Sequence, residues 1–281
     1  MTLKTKLITS GFCTQKAKFA EADAPFSKII FPTTSAIIEH PKHGPVLFDT
    51  GYSPYFYEAT KYFPEKIYAL LTPVTTSDEE TVAAKIKKLN YDPSDIRYII
   101  LSHFHADHIG GAKLFPNARF ICRKNAYDSL KSRSRLSALA SGFLPFLLPN
   151  NFEHRVDYIE NMTSVATNNV YSVLGQTYDI FKDGSIQLVD LPGHATGQIG
   201  ALIESDQGPL FLVADACWSE RNYKENVLPH PLAHLILQNF NHKDFLASIN
   251  KLSLLNLSWP ELKIVPCHCQ KTHEKLRSLH V

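Results

Sequence analysis

The 281-residue chain has almost no charge imbalance: 29 Lys and Arg face 27 Asp and Glu, for a net +2 with histidine neutral. Such a balance excludes a broad electrostatic grip on nucleic acid, and no run of Lys and Arg is long enough to make a basic face. Long apolar runs are also missing. No stretch reaches the ~18 apolar residues needed to span a bilayer, and the opening MTLKTKLITSGFCTQKAKF lacks the apolar centre of a signal peptide. The five cysteines, Cys13, Cys122, Cys217, Cys267 and Cys269, are odd in number and scattered, unlike a disulfide framework. These absences give the expectation of a cytoplasmic protein with neither a nucleic-acid nor a membrane partner.

The chain does hold enough apolar residues, 44% of the total, to bury a substantial core. Its length admits one large α/β domain or two smaller ones. There is no linker and no low-complexity segment, so a single domain over 1–281 is expected, with insertions near 52–75 and 124–155 placed to act as lids. Apolar runs around Ile37-Ile38 and Val46-Phe48 flank the turn residues Pro41 to Pro45 and read as a hairpin. The segment SDEETVAAKIKKL reads as a helix with a capping box from Ser77 to Glu80 and an apolar stripe of Val82, Ile86 and Leu89. IRYIILS reads as a buried strand. Further strands are expected at ARFICR, VYSVL, YDIF, SIQLVDL, IGALIES, PLFLVADA and LKIVPC, with helices over 124–148 and 242–256.

The strand IRYIILS runs into SHFHADHIGG, where His103, His105, Asp107 and His108 form H-x-H-x-D-H. Residues two apart on an extended chain point the same way, so His103 and His105 can share one ion. Past Ala106 the chain turns, and Asp107 and His108 can face a second. Imidazole and carboxylate suit Zn, Fe or Mn. A solvated polar loop is the alternative, but one loop seldom masses three imidazoles at a strand end. His194, Asp215 and His268 each terminate a later apolar run, so all can converge on one sheet edge, where ligands bind in open α/β architectures. Cys267 and Cys269 flank His268. On an extended strand they would point away from an ion, so they read as packed thiols.

Together, Asp49-Thr50-Gly51, H-x-H-x-D-H, Gly193-His194, Asp215 and His268 resemble the metallo-β-lactamase superfamily, in order, from about residue 30 to 268. The resemblance implies an αββα sandwich: two mixed β-sheets with helices on the outer faces. It implies two divalent ions, zinc first, with iron or manganese as alternatives. His103, His105 and His194 would hold one ion, Asp107, His108 and His268 the other, and Asp215 would bridge them. Asp49 would brace a ligating imidazole from behind.

Within the superfamily, AIIEHPKHGPVLFDTGY and GHATGQIG resemble the lactonase-like branch that includes N-acyl homoserine lactone lactonases. That branch carries tyrosine three residues after the bridging aspartate, where this chain has Trp218. The implied activity is hydrolysis of an ester or lactone by water activated between two ions, with Asp107 as the catalytic proton carrier. No G-x-S-x-G segment supplies a serine nucleophile instead. The expected partner is a small acyl ester or lactone, with a homodimer left open. A glyoxalase II-like thioesterase and a non-catalytic metal-binding sensor are the alternatives. Trp218, Phe56, Phe63, Phe143 and Phe146 are the candidate substrate-binding residues, the four phenylalanines through the two insertions.

Overall fold

A computed structural model describes residues 1–166, 169–234, 239–276 and 279. The alternation of apolar and polar residues in the N-terminal half produces strands β1 (Lys4–Lys16), β2 (Lys28–His40), β3 (Gly44–Phe48), β4 (Val74–Thr75), β5 (Tyr98–Ile100), β6 (Arg119–Cys122) and β7 (Val156–Tyr158). They form one sheet in the order β4-β1-β2-β3-β5-β6-β7. The expected hairpin is β2 and β3, antiparallel with Ile38 opposite Val46. From β3 onward the pairs β3–β5, β5–β6 and β6–β7 are parallel. The second sheet is built from β8 (Thr163–Ala166), β9 (Gln176–Asp179), β10 (Ile186–Asp190), β11 (Ile199–Ser205), β12 (Gly208–Ala214) and β13 (Lys263–Pro266), in the order β13-β12-β11-β10-β9-β8. Its β12–β13 pair is parallel and the others are antiparallel. Both sheets are therefore mixed.

Three apolar layers hold the sheets together. Ala36, Ile38, Val46, Phe48 and Ile100 of the first sheet meet Leu188, Ala201, Ile203 and Leu212 of the second, all buried between them. The outer face of the first sheet is covered by α1 (Ala17–Ala20), α2 (Tyr55–Ala59), α3 (Lys66–Leu71), α4 (Val82–Lys87), α5 (Ala106–Ile109), α6 (Lys124–Lys131) and α7 (Arg135–Ala140) and their loops. Beyond α8 (Glu220–Lys224) and α9 (Pro231–His234), the long helix α10 (His242–Ser258) buries Phe245, Ile249, Leu252 and Leu255 against Val189, Leu202 and Phe211 on the other outer face. That stripe has the three-to-four spacing of an amphipathic helix. A last helix, α11 (Gln270–Lys275), follows β13. Two sheets face to face with helices outside are the αββα sandwich. Among the described residues, no helix is long and apolar enough to cross a membrane, and all five cysteines are free and buried.

Two local expectations are corrected. The helix after Ser77 begins only at Val82. Thr81 is its cap, accepting from Ala84 N at 3.1 Å, while Asp78–Glu80 is a separate 3₁₀ turn. The Ser77 hydroxyl instead donates to Glu79 Oε2 at 2.8 Å. VYSVL is not a strand: Asn169–Leu174 forms 3₁₀ helix, closed by Gly175 N donating to Ser172 O at 3.1 Å, and β9 starts after it. A short β-branched run does not distinguish a strand from a turn packed under a helix.

Candidate metal centre

Strands β3, β5, β10, β12 and β13 all end at the same edge of the sandwich, and each is followed by a chemically active residue. Asp49 follows β3, the H-x-H-x-D-H loop follows β5, His194 follows β10, Asp215 follows β12 and His268 follows β13. Two of these exits use left-handed backbone without glycine: φ is 58° at Asp49 and 48° at Ala214. Such residues cost roughly 1–3 kcal/mol each and persist where the surroundings dictate them. At Ala214 the pairing with β13 also slips, which turns Asp215 inward.

The donors fall into two buried groups. His103, His105, His194 and Asp215 bring one donor atom each within 4.8 Å of one another, and Asp107, His108, Cys267 and His268 do the same. His105 Nδ1 lies 3.0 Å from His103 Nε2 and 2.9 Å from His194 Nε2. Asp215 faces both groups, with Oδ2 3.3 Å from His194 Nε2 and Oδ1 3.2 Å from His268 Nε2. Asp107 Oδ2 lies 3.4 Å from His108 Nε2 and 3.3 Å from His268 Nε2. These are the seven residues picked out in the sequence, with Cys267 added.

Behind the donors, the His108 and His268 rings are oriented by their other nitrogen. His108 Nδ1 donates to Asp49 Oδ2 at 2.7 Å, and Asp49 is held by Ser102 N and Ser102 Oγ, each at 2.8 Å. His268 Nδ1 donates to Pro32 O at 2.8 Å. Each ring so fixed turns its Nε2 toward the carboxylates. Gly110 and Gly111 pack on the Asp49 loop itself: an added Cβ would sit 2.7 Å from Gly51 O or 2.5 Å from Thr50 O.

The electrostatics show what the cluster lacks. Burial and neighbouring imidazoles hold His103 well below its usual pKa, and burial pushes His194 down to about 3. Burial alone would raise Asp107 and Asp215, but the facing histidines hold both well below the carboxylate range. Burial would lower His108 and His268, but Asp107 and Asp49 beside the first and Asp215 beside the second hold both well above the usual imidazole value. His108 Nε2 and Asp215 Oδ1 are buried without a hydrogen-bond partner. Bare imidazole nitrogens and carboxylate oxygens converging in a buried space need cations between them, and this donor set fits two divalent ions.

Cys267 requires a correction. Its Sγ lies among the second group because β13 ends at Pro266 and the chain turns at 267–268, so strand alternation no longer applies. That sulfur also accepts from Thr34 N at 3.3 Å. Cys269 packs beneath α8, accepting from Glu220 N at 3.4 Å.

A cavity of about 130 Å³ opens onto His105, Asp107, Asp215 and His268. Its walls are Phe19, Phe31, Tyr52, Tyr68 and Trp218. Trp218 stands beside Asp215, edge-on to His194 with centroids 5.5 Å apart. The four candidate phenylalanines do not line this cavity. Phe56 is fully buried between Tyr52 and Tyr68, and Phe143 is buried against Phe104. Phe63 and Phe146 face solvent, the latter under Lys113 Nζ at 3.6 Å. The wall residues Phe19, Phe31 and Tyr68 were not singled out in the sequence. The first two come from the N-terminal strands and α1, which carry no motif. A surface groove of about 840 Å³ lies at the opposite ends of β3, β5 and β6 among Lys42, Arg97 and Arg119, away from every donor.

Known proteins are similar to this chain. An N-acyl homoserine lactonase, AttM, of Azorhizobium caulinodans is 28% identical over 225 residues, 80% of this chain and 77% of that protein. The lactonase AttM of Agrobacterium fabrum is 28% identical over 64% of this chain, and the match spans only 60% of its length. A solved N-acyl homoserine lactone hydrolase with N-hexanoyl-L-homoserine at its catalytic metal centre superposes with a TM-score of 0.76 at 22% identity, covering 98% of this chain and 97% of that one. The profile of the metallo-beta-lactamase superfamily matches residues 30–268, and the chain belongs to that superfamily.

Proposed function

We propose that this protein is a dinuclear metal-dependent hydrolase of carboxylic esters or lactones. The observation that carries the reading is the pair of buried donor groups facing one another across Asp215, directly beneath an aromatic-walled cavity. His103, His105 and His194 would hold one ion, Asp107, His108 and His268 the other, with Asp215 between them. When bound, two such cations lower the pKa of water toward neutrality and polarise a carbonyl oxygen. Asp107 lines the cavity and is placed to take a proton from the attacking water and return it to the leaving oxygen. Asp49 and Pro32 O keep His108 and His268 in the tautomers that ligation requires.

The cavity suits an apolar acyl group. Residues 52–75 act as one wall, through Tyr68 and Thr72, which supports a lid role for this insertion. The insertion at 124–155 serves the site from behind, packing Gly142 against the His105 ring. Trp218 offers a flat face beside Asp215 and favours extended or aromatic acyl groups over a small bare ring. The N-acyl homoserine lactonases among the relatives make such lactones the first substrates to test. The test is turnover by metal-loaded protein of a panel of N-acyl homoserine lactones, aryl esters and thioesters. Hydrolysis of at least one oxygen ester or lactone, abolished in Asp215→Ala, is the expected result. Exclusive thioester cleavage, or none at all, would overturn the reading.

A further inference from the structure

Two tyrosines reach the cavity beside the donors, and their hydroxyls are not equivalent. Tyr52 is 1% exposed and belongs to the packed core. Tyr68 comes from α3, a helix with no fully buried residue. Its ring meets Phe56 edge-on with centroids 5.6 Å apart, and Phe56 meets Tyr52 in the same way at 5.6 Å. The end of α3 is tied down separately: Gln15 Nε2 donates to Leu71 O at 2.9 Å and to Thr72 Oγ1 at 3.2 Å. Tyr68 is thus held on both sides, and its ring runs from a surface helix into the cavity wall beside Asp107.

The surroundings of the Tyr68 oxygen decide what it can do. Tyr68 lines the same cavity as Asp107. A phenol keeps its proton at neutral pH. That proton can be donated to an oxygen acceptor in the cavity. Gln15 is committed to α3 and Tyr52 is sealed in the core, whereas Tyr68 is only half-buried, so Tyr68 is the phenol more open to a molecule in the cavity.

We propose that Tyr68 is a catalytic residue, donating a hydrogen bond to the carbonyl oxygen of the bound ester or lactone; this rests on the hydrolase reading above. Charge builds on that oxygen as the carbon becomes tetrahedral. A donor already in place then strengthens its bond in the transition state more than in the bound substrate. The signature is a loss in kcat with little change in KM.

The test compares wild type with Tyr68→Phe, which keeps the ring and its contact with Phe56. Both proteins are loaded with the same metal and checked for metal content and thermal stability. With phenyl hexanoate and N-hexanoyl homoserine lactone, kcat should fall ~100-fold and KM should change by less than about threefold. A calorimetric titration with phenyl hexylphosphonate, a tetrahedral anion that is not turned over, should show at least ~10-fold weaker binding by the variant. Equal phosphonate affinity in the two proteins would overturn the proposal whatever the turnover. So would a fall in kcat matched by a loss of metal or of stability, which marks a structural role. Phosphonate binding that depends on Tyr68 in a protein that cleaves no ester or lactone would uphold the contact and sink the hydrolase reading.

Discussion

Gly142 lies far in sequence from every donor, yet its substitution should strike the metal centre. It has a φ of +70°, and a Cβ built there would sit 2.6 Å from His105 Cδ2 and 2.9 Å from His105 Nε2. Ordinary carbon contacts begin near 3.5 Å, so the ring must retreat by roughly 0.9 Å. Metal–ligand distances tolerate only about 0.2 Å. Gly142→Ala should therefore weaken one ion at least ~10-fold, the scale seen when the support of a ligand is lost. It also carries backbone strain of roughly 1–2 kcal/mol, because alanine is unfavourable at that φ. Gly44 separates the two effects: its φ is +76°, with nothing within 4 Å of an added Cβ. Gly44→Ala should share the loss of stability and keep wild-type metal affinity. Chelator competition on both variants measures this directly. Gly142→Ala holding both ions as tightly as wild type would refute the geometry, and so would Gly44→Ala losing as much.

Phe56→Ala removes a fully buried ring and should cost ~3–5 kcal/mol in urea unfolding, whereas Phe63→Ala, 64% exposed, should stay within about 0.5 kcal/mol. The reverse order would mean that the wall and the core have been exchanged. Asp49→Asn keeps the shape behind His108 but loses its charge. Affinity for the second ion should drop ~10–100-fold in a chelator titration, and unchanged affinity would remove Asp49 from the account. At the far end of the sandwich, burial would raise the Asp183 carboxyl, but Ser185 and His40 draw it down to about 2. A carboxyl depressed by folding contributes stability above its unfolded pKa of 3.8 and loses it as pH falls toward 2. Asp183→Asn should then lower stability by about 1 kcal/mol at neutral pH, allowing for partial exposure, and flatten the acid limb between about pH 4 and 2. A parallel acid limb in the variant would contradict this.

The donors were legible in the sequence because each is a polar residue that ends an apolar run, and a strand end has only one side of the sandwich to face. The layer order was legible for a related reason: hydrophobic periodicity separates strands such as β2 and β12 from the long helix α10. The cavity walls were not. Nothing in YFYEATKYF tells Phe56, sealed between two rings, from Phe63 in solvent, because short helices in an insertion bury residues by tertiary contact rather than by period. Tyr68 was missed for the same reason. Cys267 was misjudged because alternation was extended one residue past Pro266, into the turn where it fails.

The central claim is that this chain is built around two ions bridged by Asp215. Native mass spectrometry of metal-saturated protein, supported by elemental analysis, tests it most directly. The account requires two divalent ions per chain in the wild type and weakened retention of both in Asp215→Ala. Saturation at one ion per chain, or two ions held undiminished without Asp215, would contradict it.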